Sequence, residues 1–252
     1  MLEMILYPHN RGYSYPGRIA LTNSEEKRVY QLEIPFKLDS ESVSKRLRLV
    51  NNGNRLEGMA RELADMARNV ARPKAVYQIS HARVFDGATV DIDGVRFTSR
   101  VLSKNLRDQD TVFPFIATAG KELDELPVPR RDMMRQFCLD MIKTVILVSA
   151  VDYLTDYLKK KYEISQAALM NPGEIEDWPI TQQKPLFTLF GGAEKQIGVT
   201  LSSGGVMKPI KSRSGILFPN DTGFLSCRLC TQLKCPGRRA AYDPELAKEY
   251  LG

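Results

Sequence analysis

The sequence predicts an α+β protein with a mainly antiparallel sheet and one long buried helix. Two observations support this fold class. Short strand-like stretches are separated by turns and do not alternate regularly with helices. In addition, the segment from Arg130 to about Lys160 is helical in pattern and apolar on nearly all sides, which is typical of a buried helix. At 252 residues, the chain is long enough to bury a core without disulfide or metal staples.

Each element follows from a local pattern. Residues 28–36 alternate as a strand, and the apolar spacing over 54–71 predicts a helix that stops before Pro73. Residues 75–97 predict short strands with turns at Asp86-Gly87 and Asp93-Gly94. Further along we expect a short helix capped by Ser99, a strand over 111–120, a helix in "ITQQKPLFTLF", hairpins with glycine turns over 191–219, and a terminal helix capped by Asp243.

The chain is predicted to comprise three parts. Residues 1–110 form an N-terminal α+β part that packs on the core, residues 111–222 form the core itself, and residues 223–252 form a cysteine-rich, metal-binding tail. The tail is set apart by the clustering of cysteines near the end, and the bounds of the core are implied by the family resemblance given below.

Composition excludes several classes of function. The chain is 43% hydrophobic and 26% charged with a net charge of +6, which is typical of an ordinary globular protein with a mild basic excess. There is no dense basic stripe with interleaved aromatics, so no nucleic-acid partner is expected. The N-terminus lacks the pattern of a secretory signal and no apolar run is long enough to span a bilayer, so we expect a cytoplasmic protein without a membrane partner.

Three of the four cysteines form the stretch "CRLCTQLKCPGRR". Cys227, Cys230 and Cys235 follow the spacing Cys-x2-Cys-x4-Cys, and clustered cysteines in a reducing compartment indicate a metal or redox role. Proline directly after the last cysteine occurs in ferredoxin-like loops, so the pattern favours an iron-sulfur cluster of the four-iron four-sulfur type. Structural zinc and three unmetallated thiols stay open as alternatives.

Cys138 is the one candidate for a fourth cysteine ligand. It lies within the long apolar helix, where a cysteine usually packs as a small buried hydrophobe. We therefore expect core packing first and metal ligation second. Without Cys138, a cluster would have one iron open to an external ligand.

Two further stretches are candidate binding segments. The stretch "MKPIKSRSGILF" combines small residues that allow close backbone approach to a ligand with basic ones that could meet phosphate or carboxylate. Its members of interest are Lys208, Lys211, Ser212, Arg213, Ser214 and Gly215. The stretch "NPGEIEDWP" places a turn at Pro172 and Gly173, followed by Glu174 and the single tryptophan. No catalytic triad, P-loop or dinucleotide-binding glycine pattern is present, so catalytic residues are not assigned.

These stretches together resemble a known family. In order, "VFPFIATAGKELDEL", the long helix, the "NPG" loop and "PLFTLFGGAEKQIGVTLSSGGVMKPIKSRSGILF" are similar to the activation (reactivation) domain of cobalamin-dependent methionine synthase, especially its free-standing relatives in anaerobes. The resemblance implies that domain's fold. It also implies a protein that caps the cobalamin of a corrinoid protein and supports its remethylation with electrons and S-adenosylmethionine.

The chain departs from the family in two places. The family binds S-adenosylmethionine through Arg-x-x-x-Gly-Tyr, but alignment on Gly173 puts Leu169 and Glu174 at the arginine and tyrosine positions, which leaves that binding open. The cysteine cluster is an addition, and a cluster there would supply the electron that the synthase receives from flavodoxin. We therefore expect a reductive activator of a corrinoid methyltransferase, with methyl transfer from S-adenosylmethionine and a non-redox corrinoid-binding protein with a zinc tail as alternatives.

Overall fold

The structure is a computed structural model that describes residues 28–38, 43, 54–232, 234, 235 and 237–252. An antiparallel sheet of eight strands forms the centre of this described part. With a further pair of short strands, the described residues contain ten strands. They are β1 Val29–Glu33, β2 Lys74–Gln78, β3 Ser80–Val84, β4 Thr89–Ile92, β5 Val95–Thr98, β6 Thr111–Thr118, β7 Ala167–Met170, β8 Thr200–Leu201, β9 Met207–Lys208 and β10 Ser212–Pro219. Strands β8 and β9 form a separate hairpin.

The helices surround this sheet. They are α1 Asn54–Val70, α2 Arg100–Asn105, α3 Met133–Lys161, α4 Gln183–Thr188 and α5 Pro244–Leu251, with 3-10 helices at Lys121–Glu125, Ile180–Gln182, Ala193–Ile197 and Ser226–Arg228. The predicted α+β class with an antiparallel sheet and a long helix is confirmed. One local expectation was wrong: the start of the predicted hairpin region is the 3-10 helix Ala193–Ile197, and the hairpin begins only at Thr200.

Strand β6 is the centre of the sheet, and all of its residues are buried. Strands β2 and β3 pair with one of its edges and β10 with the other, while β7 extends the sheet beyond β10. Strands β3, β4 and β5 continue as a meander, whose turn at Asp93 and Gly94 has positive φ at both residues (50° and 89°). This conformation matches the predicted Asp-Gly turn.

Helix α3 packs along the sheet and against α1. Its buried stripe includes Ile142, Ile146, Ala150 and Leu154, which contact buried residues of the sheet strands or of α1. Its N-terminal turns are different, because Met133, Met134 and Phe137 are exposed. Helix α3 is therefore buried along one side, with an apolar surface at its N-terminal end.

The C-terminal end of α3 is fixed by a group of tyrosines. The Lys161 ammonium lies 4.6 Å, 5.9 Å, 5.8 Å and 5.1 Å from the ring centres of Tyr30, Tyr77, Tyr157 and Tyr162. It also donates a hydrogen bond to Tyr77 Oη at 3.1 Å. We call this arrangement the tyrosine cage. It ties α3 to β1 and β2 through cation–π attraction.

Strands from both sides of the predicted boundary between residues 110 and 111 belong to one sheet, because β2 and β3 pair with β6. The division into 1–110, 111–222 and 223–252 stays a prediction. Within the described residues, no helix has the length and apolar character needed to cross a membrane.

Candidate functional site

A cavity of about 600 Å³ opens beside the sheet. Its walls come from one face of α3, from β7 and the loop after it, from the start of β10, and from the C-terminal segment 224–239. The volume falls within the range of small-molecule binding sites. The residues with reactive or charged side chains in these walls are Asp152, Glu174, Arg213, Cys227, Cys230, Cys235, Arg238 and Arg239.

The side of the cavity formed by β10 is supported by Asn171. Its Oδ1 accepts hydrogen bonds from Arg213 Nε at 2.9 Å and Nη2 at 2.5 Å, and its Nδ2 donates to Ser214 O at 2.6 Å. A Cβ atom at Gly215 would lie 2.4 Å from Asn171 Nδ2 and 2.5 Å from Met170 O. Glycine is therefore required at position 215 for Asn171 to hold the Arg213 guanidinium in place.

The loop after β7 is a closed turn. Gly173 has a φ of 85° and donates from its N–H to Trp178 O at 2.7 Å. Trp178 is fully buried and packs edge-on against Phe97. The Asp177 carboxylate accepts from Ser99 Oγ and Val101 N, so this residue fixes the start of α2. The loop is thus anchored in the core and presents Gly173 and Glu174 to the cavity.

Charged groups in the cavity are only partly compensated. Glu174 Oε1 lies 3.4 Å from Arg213 Nη2 and 3.7 Å from Arg239 Nη2, while Glu174 Oε2 is buried without a hydrogen-bond partner. Burial lowers the pKa of Arg213, and attraction to Glu174 does not offset it. Burial also raises the pKa of Asp152, against the attraction of Arg239.

The backbone of the cysteine segment folds around the guanidinium of Arg238. Arg238 Nη1 donates to Cys227 O at 3.0 Å and Ala240 O at 2.9 Å, and Nη2 donates to Cys230 O and Gln232 O at 2.8 Å each. We call this the Arg238 clasp. It satisfies four backbone carbonyl groups of a loop that has little regular secondary structure.

The segment is also anchored on both sides. Leu229 is buried in the core that contains Trp178, and Phe224 stacks on Tyr250 of α5 at 5.5 Å. Arg228 Nη2 forms an ion pair with Asp243 Oδ2 at 2.6 Å. These contacts hold the cysteine segment against the cavity.

The donor chemistry suits a soft metal or cluster, but the geometry does not support one. Cys227, Cys230 and Cys235 are free thiols, half-buried, and all three line the cavity. Within the part of the chain that the structure describes, no group of three Cys, His, Asp or Glu side chains is placed to hold a metal ion. Cys138 lies elsewhere, buried in the core between α1 and α3.

The structure brings some of the predicted site residues together. Gly173, Glu174, Ser212 and the three clustered cysteines line the cavity, whereas Pro172, Lys211, Ser214, Gly215 and Cys138 do not. Pro172, Ser214 and Gly215 are buried beside it. Lys211 pairs with Asp140 of α3 at 2.9 Å. Ser212 Oγ is occupied by hydrogen bonds to Thr118 Oγ1 at 3.0 Å and Pro209 O at 2.8 Å.

Sequence reasoning missed the roles of Asp152 and Asn171. For Asp152 the sequence did contain a signal of a functional role, because a carboxylate stands on the apolar side of a predicted buried helix. Asn171 gave only a turn signal, since its contact to Arg213 joins residues 42 positions apart. Long-range contacts of this kind follow from strand pairing and not from local pattern.

The fold and the cavity define an α+β domain with a central antiparallel sheet and a charged, thiol-lined cavity at one side. Among solved structures, the crystal structure of the MetH reactivation domain bound to AdoHcy is similar to it, with a TM-score of 0.54 and 16% identity, over 79% of this chain and 81% of that chain. The predicted resemblance to the methionine synthase reactivation domain is thus confirmed for the fold. No family model matches the chain, and no curated protein is similar to it.

Proposed function

We propose that the protein supports the return of a cobalamin-dependent methyltransferase or methionine synthase to its active methylated state. The observation that carries the proposal is the likeness of its fold, over 79% of the chain, to the MetH reactivation domain bound to AdoHcy. The polar cavity adds support, because Gly173 and Glu174 of the predicted "NPGEIEDWP" stretch and Ser212 and Arg213 of the predicted "MKPIKSRSGILF" stretch line it. The partner is then a corrinoid protein that presents its cobalamin to this domain.

The charges of the cavity indicate the chemistry of its ligand. Glu174 lies close to both Arg213 and Arg239, and Asp152 also attracts both guanidinium groups. With Arg238, the cavity walls hold three guanidinium groups and two carboxylates, so positive charge is in excess. Such a surface suits a ligand or partner group with an anionic part, including the phosphate of a corrinoid or the carboxylate of an amino-acid moiety.

The cysteines support a finer form of the proposal, in which the protein also delivers electrons. Three thiols lie on the wall of the cavity, where a reductant would stand close to a bound partner. The sequence pattern favours an iron-sulfur cluster on Cys227, Cys230 and Cys235, while no group of three metal-ligating side chains among the described residues is placed to hold a metal ion. The cluster therefore requires its own test.

That test is anaerobic reconstitution with iron and sulfide. We expect charge-transfer absorption in the visible range that disappears in Cys227→Ser and persists in Cys138→Ala, because Cys138 is buried away from the cavity. Absorption that is unchanged in Cys227→Ser would contradict the relay. One equivalent of zinc in the purified protein would assign a structural role to the tail.

The main proposal is tested with a cobalamin-loaded fragment of methionine synthase that lacks its own reactivation domain. We expect the visible spectrum of its cob(II)alamin to change on addition of the protein, and the change to weaken in Arg213→Met. A spectrum that stays constant at saturating protein would contradict the proposal. Calorimetric titration with S-adenosylmethionine completes the test. Binding heat that disappears in Arg213→Met would support S-adenosylmethionine as a retained methyl donor. If the original chain gives no binding heat, reduction is the remaining role.

The alternative is a corrinoid-binding protein without redox function, whose tail is a zinc clip. The Arg238 clasp argues against the need for a clip, because four carbonyl groups of the segment are already bound without metal. Retained binding to the cobalamin fragment, together with redox silence, would favour this alternative.

A further inference from the structure

We infer that Cys227 and Cys230 form a redox-active dithiol on the cavity wall, which closes reversibly to an intramolecular disulfide by exchange with low-molecular-weight disulfides. The inference goes beyond the proposed function. It rests on the backbone geometry of the cysteine segment and requires neither a corrinoid partner nor a cluster.

The backbone places the two cysteines one tight turn apart. Ser226–Arg228 is a 3-10 helix, and Cys230 N donates to Cys227 O at 3.4 Å, which continues the turn by one residue. In a 3-10 turn the side chains of residues i and i+3 lie on the same side, and their Cα atoms are roughly 6 Å apart. This separation lies within the range that a disulfide bridges.

The turn does not depend on a metal. Arg238 binds the carbonyl groups of both Cys227 and Cys230, so both ends of the turn are fixed by the same guanidinium. A preformed turn lowers the entropy cost of bringing the two sulfur atoms together. The Arg238 clasp therefore acts as the positioning group for the dithiol.

The surroundings of the pair favour reaction with a disulfide. Both side chains are half-buried and line an open cavity, so a small reagent has access to them. Arg239 N donates to Cys227 Sγ at 3.5 Å, and the guanidinium groups of Arg213 and Arg239 lie in the same cavity. Partial exposure in positive surroundings is typical of reactive cysteines. Cys138 provides the contrast, since it is 1% exposed and burial raises the pKa of its thiol.

The exchange proceeds in two balanced steps. The sulfur of Cys227 gives up its proton and attacks one sulfur of the external disulfide, whose S–S bond breaks, and the released thiolate takes up a proton and leaves as a thiol. The sulfur of Cys230 then loses its proton and displaces the second external sulfur from Cys227, which also leaves as a thiol. One protein disulfide forms, and two electrons and two protons pass to the external disulfide.

The test uses the full chain, reduced and treated with a chelator, then incubated with oxidised glutathione and alkylated. We expect two of the four thiols to become inaccessible to alkylation, with a mass decrease of two hydrogen atoms and no bound glutathione. Trypsin cleaves after Arg228, between the two cysteines, so the disulfide appears as a pair of cross-linked peptides. Dithiothreitol should restore all thiols.

Variants assign the pair. Cys235→Ser should close as the original chain does, whereas the double variant Cys230→Ser, Cys235→Ser should retain one glutathione on Cys227, because no neighbouring thiol remains to displace it. Near-ultraviolet circular dichroism establishes that each variant is folded. Stable glutathione adducts on the original chain, a disulfide that maps to Cys235, or no reaction would each overturn the inference. None of these results depends on cobalamin, so they are separate from failure of the proposed function.

Discussion

Lys161 and Arg213 both contact polar or aromatic groups of their own chain, and the electrostatic effects of those surroundings differ. Lys161 lies in the tyrosine cage, where burial opposes its charge but attraction to Tyr162, Tyr157 and Tyr30 outweighs burial and raises its pKa. Arg213 lies in the cavity wall, where burial lowers its pKa and attraction to Glu174 is not enough to compensate. The cation in the cage is stabilised by its own chain, and the cation in the cavity is not fully stabilised.

This difference separates a structural group from a binding group. A cation that its neighbours fully stabilise contributes to folding, as Lys161 does by joining α3 to the β1–β2 edge. A cation left under-compensated beside a cavity gains stability when an anion arrives. We therefore propose Arg213 as a ligand contact, and the following predictions test the two sides of the comparison.

The largest expected effect is a loss of stability when the packing of the cavity wall is disrupted. Gly215→Ala places a Cβ atom 2.5 Å from Met170 O, which is backbone and cannot rotate away. We expect a loss of about 3 kcal/mol in the free energy of unfolding, measured by urea denaturation. Gly204→Ala is the matched control, because the nearest atom to its added Cβ is Ser202 Oγ at 3.9 Å, an ordinary contact. Equal effects of the two substitutions would contradict the packing described at Gly215.

Alkaline pH tests the cage side. Burial, followed by hydrogen bonding with Tyr162 and Tyr157, raises the pKa of Tyr77 above its usual value of 10.0. The raised pKa means that the stability gained from neutral Tyr77 is complete below pH 10 and is lost as pH rises further. The slope should not exceed about 1.4 kcal/mol per pH unit for this single group. Tyr77→Phe should flatten the fall in stability from about pH 9.5 to about pH 11, the range in which free tyrosine side chains lose their proton. The free energy of unfolding is measured by denaturation at each pH. An unchanged slope would contradict the assignment.

A smaller effect is expected from emptying the cage. Lys161→Met removes the cation from four tyrosine rings and should lower the free energy of unfolding by about 1 kcal/mol. Lys160→Met on the same helix turn is the control and should have little effect. If both variants unfold at the same urea concentration, the cage does not contribute to stability.

The smallest effect sharpens the assignment of Arg213. Glu174→Gln removes the carboxylate that Arg213 and Arg239 share, so an added anion should stabilise this variant more than the original chain. We expect an additional gain of about 0.5 kcal/mol in sulfate over chloride at matched ionic strength, measured by thermal unfolding. The gain should be absent in Glu174→Gln, Arg213→Met. Its persistence there would show that sulfate acts elsewhere.

Local sequence patterns were sufficient for most of the fold. The caps at Ser99 and Asp243 are present, with side-chain bonds to Leu102 N and Leu246 N, because capping involves residues within one turn. The exposed start of α3 could not be predicted, since apolar residues at Met133 and Phe137 carry the same pattern whether or not another element covers them. The hairpin predicted at residues 193–197 was wrong because the flanking glycines, Gly192 and Gly198, fit the ends of a helix as well as a hairpin turn.

The site was predicted in part. The Cys227 to Cys235 segment and the Gly173 and Glu174 turn were found because their residue types are unusual at short spacing. Asn171 and Asp152 were missed because their roles arise only when β7, β10 and α3 come together. Two basic residues of the predicted stretches are engaged within the chain, since Lys211 pairs with Asp140 and Arg238 binds backbone carbonyl groups.

The Arg238 clasp has a consequence for how the protein is degraded. Trypsin recognises a basic side chain that extends freely into its specificity pocket, and the Arg238 guanidinium is held by four carbonyl groups of its own chain. Cleavage after Arg238 therefore requires the segment to open locally. Cleavage after Arg239 requires the same opening, because the bond that is cut lies between Arg238 and Ala240, whose carbonyl group is one of the four acceptors. Limited digestion at these two arginines would thus report the opening of the cysteine segment.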